Sequence, residues 1–361
     1  MSNKKNILQV HPKDNVLVAL HDLSKGMIVN FKEVDYTLRD TILAKHKFFM
    51  NDMQPGDGII MYGVLVGKAQ IALQAGTLMS TSNTKHAADP FVFRPYHYQW
   101  QAPDVSKYKN RTFNGYHRTD GRVGTANYWL FMPTVFCENR NLDVIKEALH
   151  TQLGYAVTDR YKQKTKLLLE LYKSGGDIAN ADLSIKESDV ITQRVFKNVD
   201  GIKFLNHQGG CGGTRQDAAT LSKLLAAYAD HPNVAGVTIL SLGCQNLQTQ
   251  NLLDDIKKHN PNFDKILYVF EQQQSQSEEQ LITESIRKTF EGLVEINKLE
   301  RKSASLDKLC IGVKCGGSDG FSGISANPAV GYCSDLIVGL GGKILLAEFP
   351  ELCGAEQHFS A

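Results

Sequence analysis

Four cysteines, one histidine and a run of glycines fall at spacings that could serve chemistry on an anionic substrate. His207 stands directly before the turn Gly209-Gly210-Cys211-Gly212-Gly213, and Cys137, Cys244 and Cys315 each follow a short apolar run. The stretch from Lys314 to Gly323 is the densest: Lys314, Cys315, Gly316, Gly317, Ser318, Asp319 and Gly320, closed by Ser322 and Gly323. Glycine lets a backbone approach a ligand closely and leaves N–H groups free for an anion such as a carboxylate. Asn327-Pro328 follows as a helix N-cap with proline at the first helical position, which would aim a helix dipole at the same loop. The alternative is a steric role, in which glycine only permits a tight strand-to-helix crossover. Thiolates converging at strand ends could bind iron or an iron–sulfur cluster, or Cys211 could take part in acid–base chemistry. Cysteine is also a small, often buried residue that fits tight turns, and that reading is preferred for Cys310, Cys333 and Cys353. His207 is either a general base or metal ligand, or a hydrogen-bonded structural residue.

The elements that would position these groups are short apolar runs at residues 128–132, 202–206, 234–242, 265–270, 309–314 and 343–349. Each suits a strand buried on both faces. Amphipathic stretches at 216–229 and 278–297 lie between them, and a Lys-rich, helical insert is expected over 158–200. Such alternation implies an α/β domain with a parallel sheet covered on both faces, and ligands then bind beyond the carboxyl ends of the strands. Glu348 and Glu351 follow the last run. The first ninety residues differ. Runs at 15–20, 58–61 and 65–71 alternate with turn signals at 24–26, 54–58 and 75–76, which reads as a small β module. The expected organisation is a β domain over 1–80, a surface-packed aromatic linker over 81–114, and the α/β domain over 115–361.

Bulk properties narrow the classes. The chain has 361 residues, 42% hydrophobic and 22% charged, with a formal charge of +2. That balance, with no long basic block, argues against nucleic acid as a partner. No apolar run nears the roughly 20 residues needed to cross a bilayer, and no signal peptide is evident. Seven cysteines without a CxxC pair read as reduced thiols, so the cytoplasm is the expected location.

Residues 115–127 (GYHRTDGRVGTAN), with Pro133, Thr134, Val135 and Cys137 after them, resemble the opening of the main domain of altronate and galactarate dehydratases. Residues 314–329 (KCGGSDGFSGISANPA) resemble that family most specifically. His207 with Gly210-Cys211, the Leu242-Gly243-Cys244 string, Gln272 to Gln274 and Gly354 to Gln357 fit in the same order. His11 to Val16, with Val18 to Leu20, Tyr62-Gly63 and Gly67, is similar to the family's small β-clip (SAF-like) domain. The resemblance implies loss of water from an aldonic or aldaric acid such as altronate, giving a 2-keto-3-deoxy acid. Galactarate dehydration and sulfo-lyase chemistry are the related alternatives. It implies a divalent metal, Fe2+ or Mn2+, and a homodimer is the default oligomer. On this reading His207, Asp319 and Cys211 are the catalytic candidates. Lys314, Gly316, Gly317, Ser318 and Asn327 would bind substrate, and Asp319, Glu348 and His207 would hold metal. The sequence departs from the family at Ala126, where arginine is usual, and at Gln245, where glutamate is common. It ends at Ala361 where family members continue, so a fragment, a frameshifted product or a truncated chain, inactive alone, is also expected.

Overall fold

The structure is a computed structural model, and it describes residues 6–93, 99–156, 160–184, 194–314, 316, 320–348, 352 and 355–359. The chain divides into two compact units, residues 1–110 with 309–361, and residues 111–308.

The first unit opens with eight short strands: β1 (Ile7–Leu8), β2 (Val16–Ala19), β3 (Ile28–Phe31), β4 (Val34–Thr37), β5 (Lys47–Phe49), β6 (Gly58–Met61), β7 (Val64–Ala69) and β8 (Thr84–His86). They pair antiparallel as β1-β2-β5, β3-β4 and β6-β7-β8. The small β module is therefore present, and its turns are where glycine was read. Gly76, with φ +83°, shows why: a Cβ there would sit 2.1 Å from the Thr37 carbonyl oxygen. Two small cores result, one around Leu17, Leu38 and Phe48, the other around Val18, Phe49 and Ile59. Pairing reaches His86, and Phe91, Val92 and Phe93 beyond it are exposed.

The second unit begins with β9 (Thr112–His117) and β10 (Val123–Gly124), followed by β11 (Tyr128–Pro133), α1 (Asn139–Leu153), α2 (Arg160–Ser174) and β12 (Gly201–Phe204). Then come α3 (Arg215–Asp230), β13 (Val234–Ser241), α4 (Thr249–His259), β14 (Ile266–Glu271), α5 (Glu278–Ile296) and β15 (Lys302–Ser305). Strands β10, β9 and β15 form a small antiparallel sheet. The main sheet is parallel throughout in the order β12-β11-β13-β14. Every residue of β13 is buried, as a strand covered on both faces must be. Leu142, Ile145 and Leu149 of α1 and Leu293 and Ile296 of α5 pack on one face with Trp129 and Phe131. Leu225 and Ala229 of α3 and Leu252 and Ile256 of α4 cover the other, against Leu130 and Met132. Trp129 is wholly buried and donates to the Thr238 hydroxyl at 3.0 Å. Gly236 and Gly292 admit its indole, since a Cβ at either would lie within 2.3 Å of the ring.

After Lys308 the chain returns to the first unit with β16 (Cys310–Val313), α6 (Ala326–Gly339), β17 (Lys343–Leu346) and the short α7 (Glu356–Phe359). Here the structure departs from the expectation of one six-stranded sheet. β16 and β17 pair parallel with each other in a separate two-stranded sheet. The expected cap at Asn327 also shifts. Ser325 is the N-cap of α6, Asn327 lies within its first turn, and Pro328 is the third helical residue. Cys310 and Cys333, read as packed residues, are exposed.

Candidate functional site

In the parallel sheet of the second unit, β11 is followed in the chain by its neighbour β12 on one side. β13 is followed by β14 on the other. The order thus reverses between β11 and β13, and a crevice opens beyond their carboxyl ends, the usual ligand position in such sheets. Three loops meet there. The turn after β12 lies across the crevice: Phe136 N–H donates to the Gly209 carbonyl at 3.0 Å, and Leu247 N–H to the Gly210 carbonyl at 3.2 Å. Gly210 has φ +92°, and a Cβ on it would stand 2.0 Å from the Thr134 carbonyl oxygen, so no other residue fits. The turn then enters α3 through a capping box in which Thr214 and Asp217 bond each other's backbone N–H groups.

Gln245 ties the crevice floor together. It is buried, donates to the hydroxyls of Thr134 at 3.0 Å and Ser241 at 2.7 Å, and accepts the Gly243 N–H at 2.7 Å. The Ser241 hydroxyl takes a bond from Thr249 and reaches Glu271, so the ends of β11, β13 and β14 share one polar network. Gln245, noted above as a departure from the commoner glutamate, is therefore a buried amide bridging two strands. Ala126, the other departure, precedes β11 and lies at the opposite edge of the sheet.

Glu138 is a buried acid at this edge. It caps α1, is fully buried, and accepts one bond from Asn141 Nδ2 at 2.9 Å. Its Oε1, like Oδ1 of the following Asn139, has no hydrogen-bond partner among the described residues. Burial pushes the Glu138 carboxyl above the ordinary range; the Asn141 bond opposes this, and the nearby Glu278 charge adds to it. Glu138 directly follows Cys137 after the first apolar run, and it was not among the candidates named from the sequence. The signal available was an acidic residue at the junction of a buried strand and a helix.

His207 is half-buried at the same edge. Its Nε2 lies 2.8 Å from the Pro133 carbonyl oxygen and its Nδ1 accepts the Gly209 N–H at 3.1 Å. A neutral ring protonated at Nε2 satisfies both contacts. The Asn139 amide holds the His207 carbonyl at 2.8 Å. Cys137, Cys211 and Cys244 are exposed here. Two cavities open beside them. One of about 440 Å³ is lined by residues 208–214 with Asn246, and one of about 730 Å³ by Arg215, Cys244, Asn246, Gln248 and Lys258.

In the other unit, Lys314 and Glu348 meet at the carboxyl ends of β16 and β17 in an ion pair of 3.0 Å. Both are substantially exposed, so the pair itself stabilises little. Glu348 has φ +65°, uncommon for a residue with a side chain. Gly316 is exposed, and Asn327 is exposed on the first turn of α6. Asp319, Gly317, Ser318, Cys315, Glu351 and Cys353 lie outside the described residues. No group of three His, Cys, Asp or Glu side chains is placed to hold a metal ion among the described residues. Both ring nitrogens of His207 face backbone, and Glu348 faces Lys314. The described residues therefore do not assemble a site for the implied iron or manganese. No helix among them is long and apolar enough to cross a membrane.

Comparison with known proteins agrees along the chain. Residues 5–87 match the altronate/galactarate dehydratase SAF domain. Residues 115–297 match the second domain of D-galactarate dehydratase/altronate hydrolase, and residues 306–361 the D-galactarate/altronate dehydratase C-terminal domain. The chain is 30% identical over 356 residues to the altronate dehydratase of Bacillus subtilis (strain 168), covering 98% of this chain and 61% of that protein. It is 28% identical over 355 residues to altronate dehydratase from Escherichia coli (strain K12), covering 97% of this chain and 61% of the relative. Galactarate dehydratase (L-threo-forming) from the same strain is 26% identical over 350 residues, 96% of this chain and 59% of the relative. The chain thus spans about three fifths of the length of these relatives. With more than half of its residues matching the second domain alone, and an SAF domain before an α/β unit, the chain belongs to the altronate/galactarate dehydratase family of sugar-acid dehydratases.

Proposed function

We propose that this chain forms the greater part of a hydro-lyase that removes water from altronate, with galactarate as the second candidate substrate. The observation that carries the reading is the Glu138 carboxyl at the switch point. Buried, half-partnered and raised above its usual range, it holds a proton at a pH where an exposed glutamate has lost it. Dehydration of a 2,3-dihydroxy acid needs such a group. A base takes the C2 proton beside the carboxylate, an acid gives a proton to the departing C3 hydroxyl, and the resulting enol becomes the 2-keto acid. Glu138 is assigned the acid role.

His207 is the base candidate. To accept the C2 proton at Nδ1 it must exchange the Gly209 N–H for substrate, while Nε2 keeps its bond to Pro133 and fixes the ring. The glycine turn beside it supplies backbone N–H groups for the enediolate oxygen. Cys211 lies in that turn as a further proton-transfer candidate, and Asp319 remains one outside the described residues. In the other unit, Lys314, with Gly316, Gly317, Ser318 and Asn327, remains a separate candidate for binding a carboxylate, which would have to displace Glu348 from Lys314.

Assays on altronate and galactarate, supplemented with ferrous or manganous ion and read by 2-keto-3-deoxy product, test the proposal. Activity is expected to fall at least about a hundredfold in Glu138→Gln, the usual scale for a lost general acid. Unchanged turnover in that variant would remove Glu138 from the chemistry. No product from either acid, with this chain or one extended to the relatives' length, would remove the dehydratase reading.

A further inference from the structure

In the first unit a cavity of about 500 Å³ lies on the β module. Its floor is Val66 and Met79, and its rim carries Lys45, His46, Lys47 and His86. Gly320, at the end of the glycine-rich segment, closes one side. A Cβ there would stand 2.9 Å from the Lys45 Cβ, so the chain at Gly320 is seated directly on the module. Gly323 approaches the Tyr62 hydroxyl in the same way, and Ile324 packs onto the core around Phe49 and Ile59.

Lys47 is the unusual member. It opens β5, is half-buried, and its ammonium has no hydrogen-bond or ion-pair partner among the described residues. Burial lowers its pKa, with no carboxylate contributing in the other direction. The described lining includes the hydroxyl residues Ser80, Thr81 and Thr84 but no Asp or Glu. A desolvated ammonium with no carboxylate among the described lining residues is costly unless an anion visits it.

We propose that this cavity is a carboxylate-binding site, with Lys47 as its anchoring cation and His46 and His86 as rim donors. The β module would thereby take part in holding the acid rather than serve only as a folding unit. Naming a sugar acid as the visitor rests on the dehydratase reading; the preference for a carboxylate rests on the cavity alone.

The test is calorimetric titration of the full chain with galactarate, with succinate, which has no hydroxyl to eliminate, and with neutral galactitol. Galactarate and succinate are expected to bind and galactitol not. Lys47→Met should weaken both acids about tenfold or more, the scale of one charge-assisted hydrogen bond, while Lys47→Arg keeps them. Thermal melting of both variants checks that the module stays folded. Galactarate binding to a folded Lys47→Met protein with wild-type affinity overturns the proposal, as does equal binding of galactitol. Lys47-dependent binding of succinate without turnover of any sugar acid would support the site and sink the substrate reading, so the two fail separately.

Discussion

The two edges of the four-stranded parallel sheet are built on opposite terms. At the amino edge a cluster of charges is joined into one bonded network. Arg122 bonds Asp120 at 2.5 Å and Asp230 at 2.7 Å, Asn260 donates to Asp230, and Arg118 donates to the Pro232 carbonyl. Lys265 gives its ammonium protons to the carbonyls of Ala229 and His231 at 3.0 and 2.7 Å. At the carboxyl edge a glycine stands in left-handed backbone, cavities open, and Glu138 and Asn139 each keep an oxygen without a partner among the described residues. Satisfied networks hold a fold together. Unsatisfied groups in a concave edge are instead candidates for work on a ligand.

The strongest way to break this contrast is Asp230→Ala. Asp230 is buried, and removing it leaves Arg122 and Lys265 without their shared carboxylate. A loss of about 3 kcal/mol in urea unfolding is expected, at the low end for a broken buried pair because Arg122 keeps some water. Ligand binding at the carboxyl edge should survive in the folded fraction. A loss under about 1 kcal/mol would mean that the amino edge is not the brace proposed.

Next in size is Gly210→Ala. The new Cβ meets the Thr134 carbonyl oxygen in a backbone region that alanine avoids, for a cost of about 2 kcal/mol. The clash acts where three loops meet, so loss of ligand binding should exceed what the stability change explains. Wild-type affinity in the folded variant would place the binding crevice elsewhere.

The edges should also answer pH with opposite signs. Burial pushes Lys265 down to about 7, against an unfolded value near the ordinary 10.5. Between those values the unfolded chain binds the extra proton. Stability therefore falls as pH drops through this window, and the advantage of Lys265→Met over wild type should grow. Glu138 is raised, so the folded chain binds the extra proton; its share of stability is present at low pH and is lost as pH rises through the folded value. Glu138→Gln should accordingly gain on wild type as pH rises. Chemical denaturation of the three proteins from pH 4 to 10 reads both slopes, and slopes of the same sign would contradict the assignment.

Much of this arrangement was legible in the residues. The runs that became β11 to β14 are apolar on both faces because helices cover both, and the sequence shows that directly. Helices α3 and α5 were readable from their amphipathic spacing, and the β module from turns where glycine takes positive φ. Pairing was not legible for β16 and β17: an apolar run records burial but not its neighbour, and these two chose each other. A hydrogen-bonded role was one of two readings for His207, but its partners were not legible, since both bonds to its ring come from backbone whose placement depends on the turn. Glu138 follows a strand in the sequence but was not named from it. Its burial was not legible, because one charged residue beside exposed Phe136 and Cys137 gives no periodic signal.

The smallest expected effect probes the crevice floor. Gln245→Glu places a carboxyl where the amide now donates to Thr134 and Ser241. Both hydroxyls can turn and donate instead, and the Gly243 N–H already points at Oε1. What they give up is weak: Thr134 reaches the Leu240 carbonyl at 3.5 Å, and Ser241 reaches Glu271 at 3.4 Å. Three donors thus remain for a charge that must otherwise bear burial and the nearby Glu271 carboxylate. The cost should be about 1 kcal/mol at pH 8 and shrink as pH falls and the new carboxyl is protonated. Urea midpoints at pH 5 and pH 8 measure it. A cost of several kcal/mol that persists at pH 5 would show that the hydroxyls cannot turn. The floor would then be a fixed brace like the amino edge, and the contrast between the two edges would rest on Glu138, Asn139 and the glycine turn alone.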